Sequence, residues 1–214
     1  MNDKLLKKIF PKKNCSSIKN LKYDNEGLWS ISYPDLADSL TKHIKVFDNE
    51  SFKLDTIIDA TAGIGGNVLS FANFFNNVYC IEIDDKRFEY LENNIKNYNY
   101  SNINCIKGDS IELIKNGLKC INSNPDVLFF DPPWGGPSYK YIKHIDIKLG
   151  NNSFEEIIDL IYILNNVKLV VLKFPFNYNF LELISYCNNK NLIKQFNIIK
   201  ENNVVFVFLK MNIN

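Results

Sequence analysis

The run Asp131-Pro132-Pro133-Trp134 concentrates more chemistry than any other stretch of the chain. Two prolines fix φ and remove two backbone donors, so no helix starts there, and the Asp131 carboxylate and Pro132 carbonyl can both stand out as acceptors. Two converging acceptors suit an exocyclic amine. An aromatic one step on can stack on the ring that bears that amine, with Pro133 beside it. Trp134 lies between prolines and glycines, a poor place for a core residue, which assigns it to stacking. Three further clusters stand upstream. Asp59-Ala60-Thr61-Ala62-Gly63-Ile64-Gly65-Gly66-Asn67 is a glycine turn that lets backbone approach a ligand closely. It lacks the Gly-Lys-Ser/Thr of a phosphate cradle. Ile81-Glu82-Ile83-Asp84 follows at about the spacing from the glycines at which an acidic side chain accepts both ribose hydroxyls. Glu82 takes that role and Asp84 caps the next helix. In Gly108-Asp109-Ser110 a carboxylate can accept an adenine amino group while the next N–H meets the ring.

Such clusters need strand ends to hold them, and the chain supplies these from Leu54 onward. Short apolar runs over 54–59, 78–83, 103–107, 126–130 and 167–174 alternate with helical periods over 66–75, 85–97, 111–118, after a Ser153 cap, and over 180–187. Runs over 192–199 and 204–209, joined by Glu201-Asn202-Asn203, read as an antiparallel pair. The pattern predicts an α/β, Rossmann-like fold with a mostly parallel seven-stranded sheet and a terminal antiparallel hairpin, the order of class I methyltransferases. Each cluster then falls at the end of a strand, in sequence order, and the ligand that the first three fit is S-adenosylmethionine. Residues 51–214 form this domain, and residues 1–50 an N-terminal extension with a helix after Pro34.

Composition excludes several classes. With 25 basic and 24 acidic residues the net charge is +1, too small for a long nucleic-acid track. No apolar stretch reaches the roughly 20 residues of a membrane span. The basic N-terminus has no apolar core of a secretory signal, so an intracellular protein, cytoplasmic or nuclear, is expected. Five scattered cysteines without a C-x-x-C pair give neither a disulfide framework nor a zinc site, and no metal is expected. His43 and His144 have no paired carboxylate in sequence and read as surface or packing residues. Arg87 is the only arginine among many lysines and asparagines, a bias that looks like AT-rich coding.

Asp131 to Pro137, DPPWGGP, resembles the motif of the trimethylguanosine synthase family, which methylates N2 of the 7-methylguanosine cap of RNA. The stretch from Tyr23 to Ser32 is similar to the family's Asp-x-Glu-Gly-Trp-Phe-Ser-Val-Thr, Asp59 to Asn67 to its glycine motif, and Asp146-Ile147 to its Phe-Asp-Ile. Together these cover the chain from about Lys19 on. The resemblance implies a cap guanine-N2 methyltransferase that uses S-adenosylmethionine and binds capped RNA or a cap analogue; a monomer is expected. Catalysis would fall to Asp131, Pro132 and Trp134. The cofactor would meet Ser32, Asp59, Thr61, Gly63, Gly65, Asn67, Glu82, Ile83, Asp109, Ser110 and Asp131. The substrate would meet Trp134, Pro133, Lys22, Lys173 and Asn177, with the 1–50 extension contributing to both sites. Tryptophan suits a cationic 7-methylguanine, whose stacking on the indole face gains ~1 to 2 kcal/mol when desolvated.

The chain departs from the pattern in two places. Pro175-Phe176-Asn177 stands where the family has Pro-Arg-Asn, so Lys173 or the N-terminal Lys19 and Lys22 must hold cap phosphates. Ser30-Ile31-Ser32-Tyr33-Pro34-Asp35 carries one residue more than the family's segment. The long N-terminal regions of some members are absent, which reads as a minimal catalytic version. Tyr139 and Tyr141 either line a cap pocket or cover the sheet edge. Two other functions fit parts of the pattern: methylation of adenine N6 or guanine N2 at internal bases, and a catalytically inactive RNA-binding partner. Intact cofactor motifs speak against the second.

Overall fold

The computed structural model describes residues 3–122 and 124–213. It divides between Ser110 and Ile111 into two compact units. The first opens with three helices, α1 (Asp3–Ile9), α2 (Asn25–Ser30) and α3 (Pro34–Lys45). It continues through β1 (Thr56–Asp59), α4 (Gly66–Phe71), β2 (Asn77–Glu82), α5 (Asp85–Lys96) and β3 (Ile103–Lys107). Its strands pair in parallel, Thr56 with Asn77 and Val78 with Ile103 at the starts of the two registers. Helix α6 (Ser110–Lys115) leads into the second unit, which holds β4 (Val127–Phe130), α7 (Phe154–Leu164), β5 (Leu169–Pro175), α8 (Phe180–Asn189), β6 (Ile193–Glu201) and β7 (Val204–Met211). There β4 and β5 are parallel, while β7 is antiparallel to both β5 and β6. The strands neighbour one another in the order β3-β2-β1 in the first unit and β4-β5-β7-β6 in the second, the mostly parallel, Rossmann-like α/β arrangement with a terminal antiparallel hairpin that the alternation predicted.

Three of the strands form where the sequence is apolar on both faces. β1, β4 and β5 are buried at every position, as expected for strands with helices on each side. Helix α7 starts on the predicted cap: Ser153 Oγ accepts the Glu156 N–H while Glu156 Oε2 accepts the Ser153 N–H at 2.9 Å. Asn202, at φ +54°, makes the turn between β6 and β7. Helix α4 ends at Phe71, short of the predicted Phe75, because Asn73 and Phe74 bond back to Ser70 and Phe71 in tight turns.

Helices α1 and α2 went unread in the sequence. Leu6, Ile9 and Phe10 of the first are fully buried against Leu21, Ile64, Leu69 and Tyr98, and the Tyr98 hydroxyl donates to the Pro11 carbonyl at 2.6 Å. A lysine-rich opening segment is thus anchored by three apolar side chains. It also packs on the glycine turn that the sequence singles out, through Ile64.

Candidate active site

In the first unit the glycine turn follows β1 directly. Asp59 is buried at the strand end, and its Oδ1 accepts the Thr61 N–H at 3.1 Å. Gly65 caps α4 at φ +102°, a conformation that L side chains rarely adopt. Gly66 is needed for a different reason. A Cβ there would lie 2.6 Å from Ile31 Cγ1 and 2.8 Å from the Ser32 carbonyl oxygen. The segment over 31–32 is therefore packed on the turn, which brings buried Ser32 to the cluster despite the extra residue in its segment. Asn67 is also buried, and its Oδ1 accepts no hydrogen bond among the described residues.

Glu82, at the end of β2, is 7% exposed. Its Oε2 accepts the Gly63 N–H and its Oε1 the Asp84 N–H, both at 2.8 Å. Burial pushes this carboxyl above the ordinary glutamate value, against the pull of the Asp84 N–H, Arg87 and the Gly63 N–H. Asp84 caps α5 as expected, with Oδ1 accepting the Arg87 N–H, and that bond holds its pKa low. Exposed Ile83 offers an apolar surface beside Glu82. The turn after β3 brings Gly108, whose N–H donates to the Glu82 carbonyl, and then half-buried Asp109 and buried Ser110.

Two residues that sequence reasoning missed hold this half together. Arg87 places Nη1 2.7 Å from Glu26 of α2 and Nε 3.6 Å from Glu82 Oε1, so the sole arginine ties α2 to the strand-end carboxylate. Asn94, fully buried on α5, accepts the Lys22 N–H and donates to the carbonyls of Lys22 and Ile64. The signal for Arg87 was its place three residues after the Asp84 cap. Nothing in the sequence marked Asn94. The Lys22 backbone is thereby fixed, while its side chain lines a concavity of about 540 Å³ with Lys19 and Lys96. No residue of the glycine turn lines that concavity.

The second unit carries the proline motif. Asp131 follows the buried β4, and its Oδ2 accepts from Lys173 Nζ at 2.5 Å. Pro132 is buried and Pro133 exposed. Trp134 is half-buried, with its indole N–H buried and donating to no acceptor among the described residues. Tyr139 meets its ring edge-on, with centroids 5.1 Å apart. Burial, and then the charge of Asp131, push the Tyr139 hydroxyl pKa up. Of the two tyrosines that the sequence singles out, Tyr139 packs against Trp134 and Tyr141 is 91% exposed. Asn177 donates through Nδ2 to the carbonyls of Tyr139 and Ile142, clamping the loop after the motif, and its Oδ1 is buried without a donor among the described residues.

Lys173 is only 4% exposed and its ammonium lies on Asp131, so the structure does not present it to solvent where a phosphate would be met. Phe176, at the position of the family's arginine, is exposed. Among the described residues no group of three His, Cys, Asp or Glu side chains is placed to hold a metal ion, and no helix is long and apolar enough to cross a membrane.

A glycine turn, a buried strand-end carboxylate and a Pro-Pro-aromatic motif on a Rossmann-like α/β fold define a class I methyltransferase. A family model for the RNA cap guanine-N2 methyltransferases matches residues 54–212, and the chain belongs to that family. It is 36% identical to the uncharacterized protein L320 of Acanthamoeba polyphaga mimivirus, over 89% of this chain and 82% of that protein. It is 33% identical to the trimethylguanosine synthase of Schizosaccharomyces pombe, over 54% of this chain but only 49% of that protein. In fold it resembles precorrin-6y C5,15-methyltransferase from Geobacter metallireducens at a TM-score of 0.59 and 13% identity, covering 94% of this chain and 98% of that one. Family and fold together make S-adenosylmethionine the cofactor. The first unit fits it: buried Asn67 Oδ1 awaits a donor, and a nearly buried carboxylate stands at the end of β2.

Proposed function

We propose that this protein methylates the exocyclic N2 of 7-methylguanosine in the RNA 5′ cap, giving 2,7-dimethylguanosine, and the 2,2,7-trimethyl form where a second transfer follows. The observation that carries the reading is Asp131-Pro132-Pro133-Trp134 at the mouth of β4, with a fixed carboxylate beside a half-buried indole. When bound, S-adenosylmethionine supplies an activated methyl group. Glu82 accepts its ribose hydroxyls, Asp109 its adenine amine with Ile83 and Ser110 alongside, and Asn67 Oδ1 its ammonium. Ser32, Asp59, Thr61, Gly63 and Gly65 shape the turn that holds it. Asp131 and the Pro132 carbonyl accept from the N2 amine, so its lone pair is aimed at the methyl carbon, and this positioning supplies most of the rate. The extra proton on N2 leaves to Asp131 or water after transfer. Trp134 and Pro133 bound the base, and Asn177 holds the loop that carries Tyr139 against Trp134.

Lys173 is engaged with Asp131 and does not serve as a free phosphate ligand. Initial rates on m7GTP and GTP at matched concentrations test the reading: the first should be methylated and the second not. A second reading, transfer to a neutral amino base, draws support from the Lys173 ammonium, which already lies 5.3 Å over the Trp134 ring. Equal turnover of the two nucleotides would favour it.

A further inference from the structure

Lys173 sits in β5, a strand buried at all its positions, and is itself 4% exposed. Its Nζ is 2.5 Å from Asp131 Oδ2 and 5.3 Å from the centroid of the Trp134 ring. A buried ammonium costs several kcal/mol of desolvation, which a carboxylate at this distance offsets but rarely exceeds. Stability alone is a weak reason for a lysine here, and Asp131 and Trp134, both within its reach, are the two side chains that would handle the base. The ammonium fixes one oxygen of the carboxylate that receives the amine. It also sets a positive charge against the π system whose electron-rich face attracts a cationic base. Two cations sharing one ring repel each other and compete for the same polarisation.

We propose that Lys173 is a positioning and specificity-determining residue: it orients Asp131 for the N2 amine and tempers the preference of Trp134 for a cationic over a neutral guanine. This inference rests on the cap N2-methylation reading above.

The chain has two tryptophans, so Trp29→Phe leaves Trp134 as the sole indole reporter. In that background, fluorescence titrations with m7GTP and GTP give binding, and initial rates separate kcat from KM. Lys173→Met should lower kcat on m7GTP by about tenfold or more, because Asp131 loses its fixed orientation. It should also widen the m7GTP-to-GTP binding ratio by roughly three- to tenfold, because the ring no longer faces a resident cation. Affinity for S-adenosylhomocysteine should not change. Lys173→Arg keeps the charge and the pairing and should restore kcat to within about threefold, with the ratio as in the parent.

Melting curves report folding, and if Lys173→Met does not fold, Lys173→Gln carries the same comparison without the charge. A lysine that only supports the fold would, when replaced, weaken both nucleotides alike and leave the ratio fixed, and that result overturns the proposal. If the parent with Lys173 shows no preference for m7GTP, the cap reading fails and this inference fails with it. If the parent prefers m7GTP and the Lys173 variants change neither kcat nor the ratio, only this inference fails.

Discussion

Glu82→Gln separates two roles that the structure gives one carboxylate. Each oxygen of Glu82 accepts a backbone N–H at 2.8 Å, from Gly63 and from Asp84. An amide offers one acceptor oxygen and turns an N–H toward the second donor, leaving a buried N–H without its bond at a cost of about 1–3 kcal/mol. For a chain of this size that lowers the melting temperature by about 2–4 °C per kcal/mol, so a fall of roughly 2–12 °C is expected. The ribose adds a separate loss. Hydrogen bonds to a charged group contribute about 1.5–3 kcal/mol each, and replacing one of two should weaken S-adenosylhomocysteine binding by about 2 kcal/mol, near 30-fold.

The pH dependence has a fixed sign. Burial holds the folded-state pKa of Glu82 above 4.5, so the folded chain keeps this proton more tightly than the unfolded one. Its contribution to stability therefore falls as pH rises from about 4.5 through the folded value, while ribose binding, which needs the ionised form, rises over the same window. Both limbs should vanish in Glu82→Gln. Calorimetry with S-adenosylhomocysteine across that window, beside melting curves, reads each effect. A lowered melting temperature with unchanged affinity would refute the ribose assignment and leave Glu82 as a brace for the glycine turn.

Trp134→Phe keeps a stacking face with a weaker cation-π attraction and should raise KM for m7GTP by about tenfold without altering cofactor affinity. Asp131→Ala should instead lower turnover by about a hundredfold, the usual cost of a misplaced reacting group, in single-turnover assays. Gly66→Ala would drive a Cβ to 2.8 Å from the Ser32 carbonyl and should lower stability by roughly 1–3 kcal/mol while weakening S-adenosylhomocysteine binding, measured by denaturant melts and calorimetry.

Strand positions were legible because buried parallel strands write themselves as short apolar runs, and Val127 to Phe130 could be little else. The placement of Gly65, Glu82 and Asp109 was legible for a related reason: each stands at or just after the end of a strand, in sequence order. What stayed hidden depends on partners far apart in sequence. Helices α1 and α2 are too short for periodicity to show, and the first is held by apolar contacts to Ile64, Leu69 and Tyr98. Asn94 looks like one more asparagine on a polar helix until its bonds to Lys22, 72 residues away, are seen. Lys173 read as one of the candidate phosphate ligands because it lies close in sequence to Phe176, where the resembling family carries an arginine. Its pairing with Asp131, 42 residues away, comes from the two parallel strands β4 and β5 ending side by side.

The central claim is that a methyl group reaches N2 of a cap guanine. Incubating the protein with S-adenosylmethionine and m7GpppA, digesting the product to nucleosides and identifying the base by chromatography and mass spectrometry tests it directly. The account predicts 2,7-dimethylguanosine, with GpppA left unmethylated under the same conditions. A methyl group on the adenosine, or equal methylation of GpppA, would contradict it.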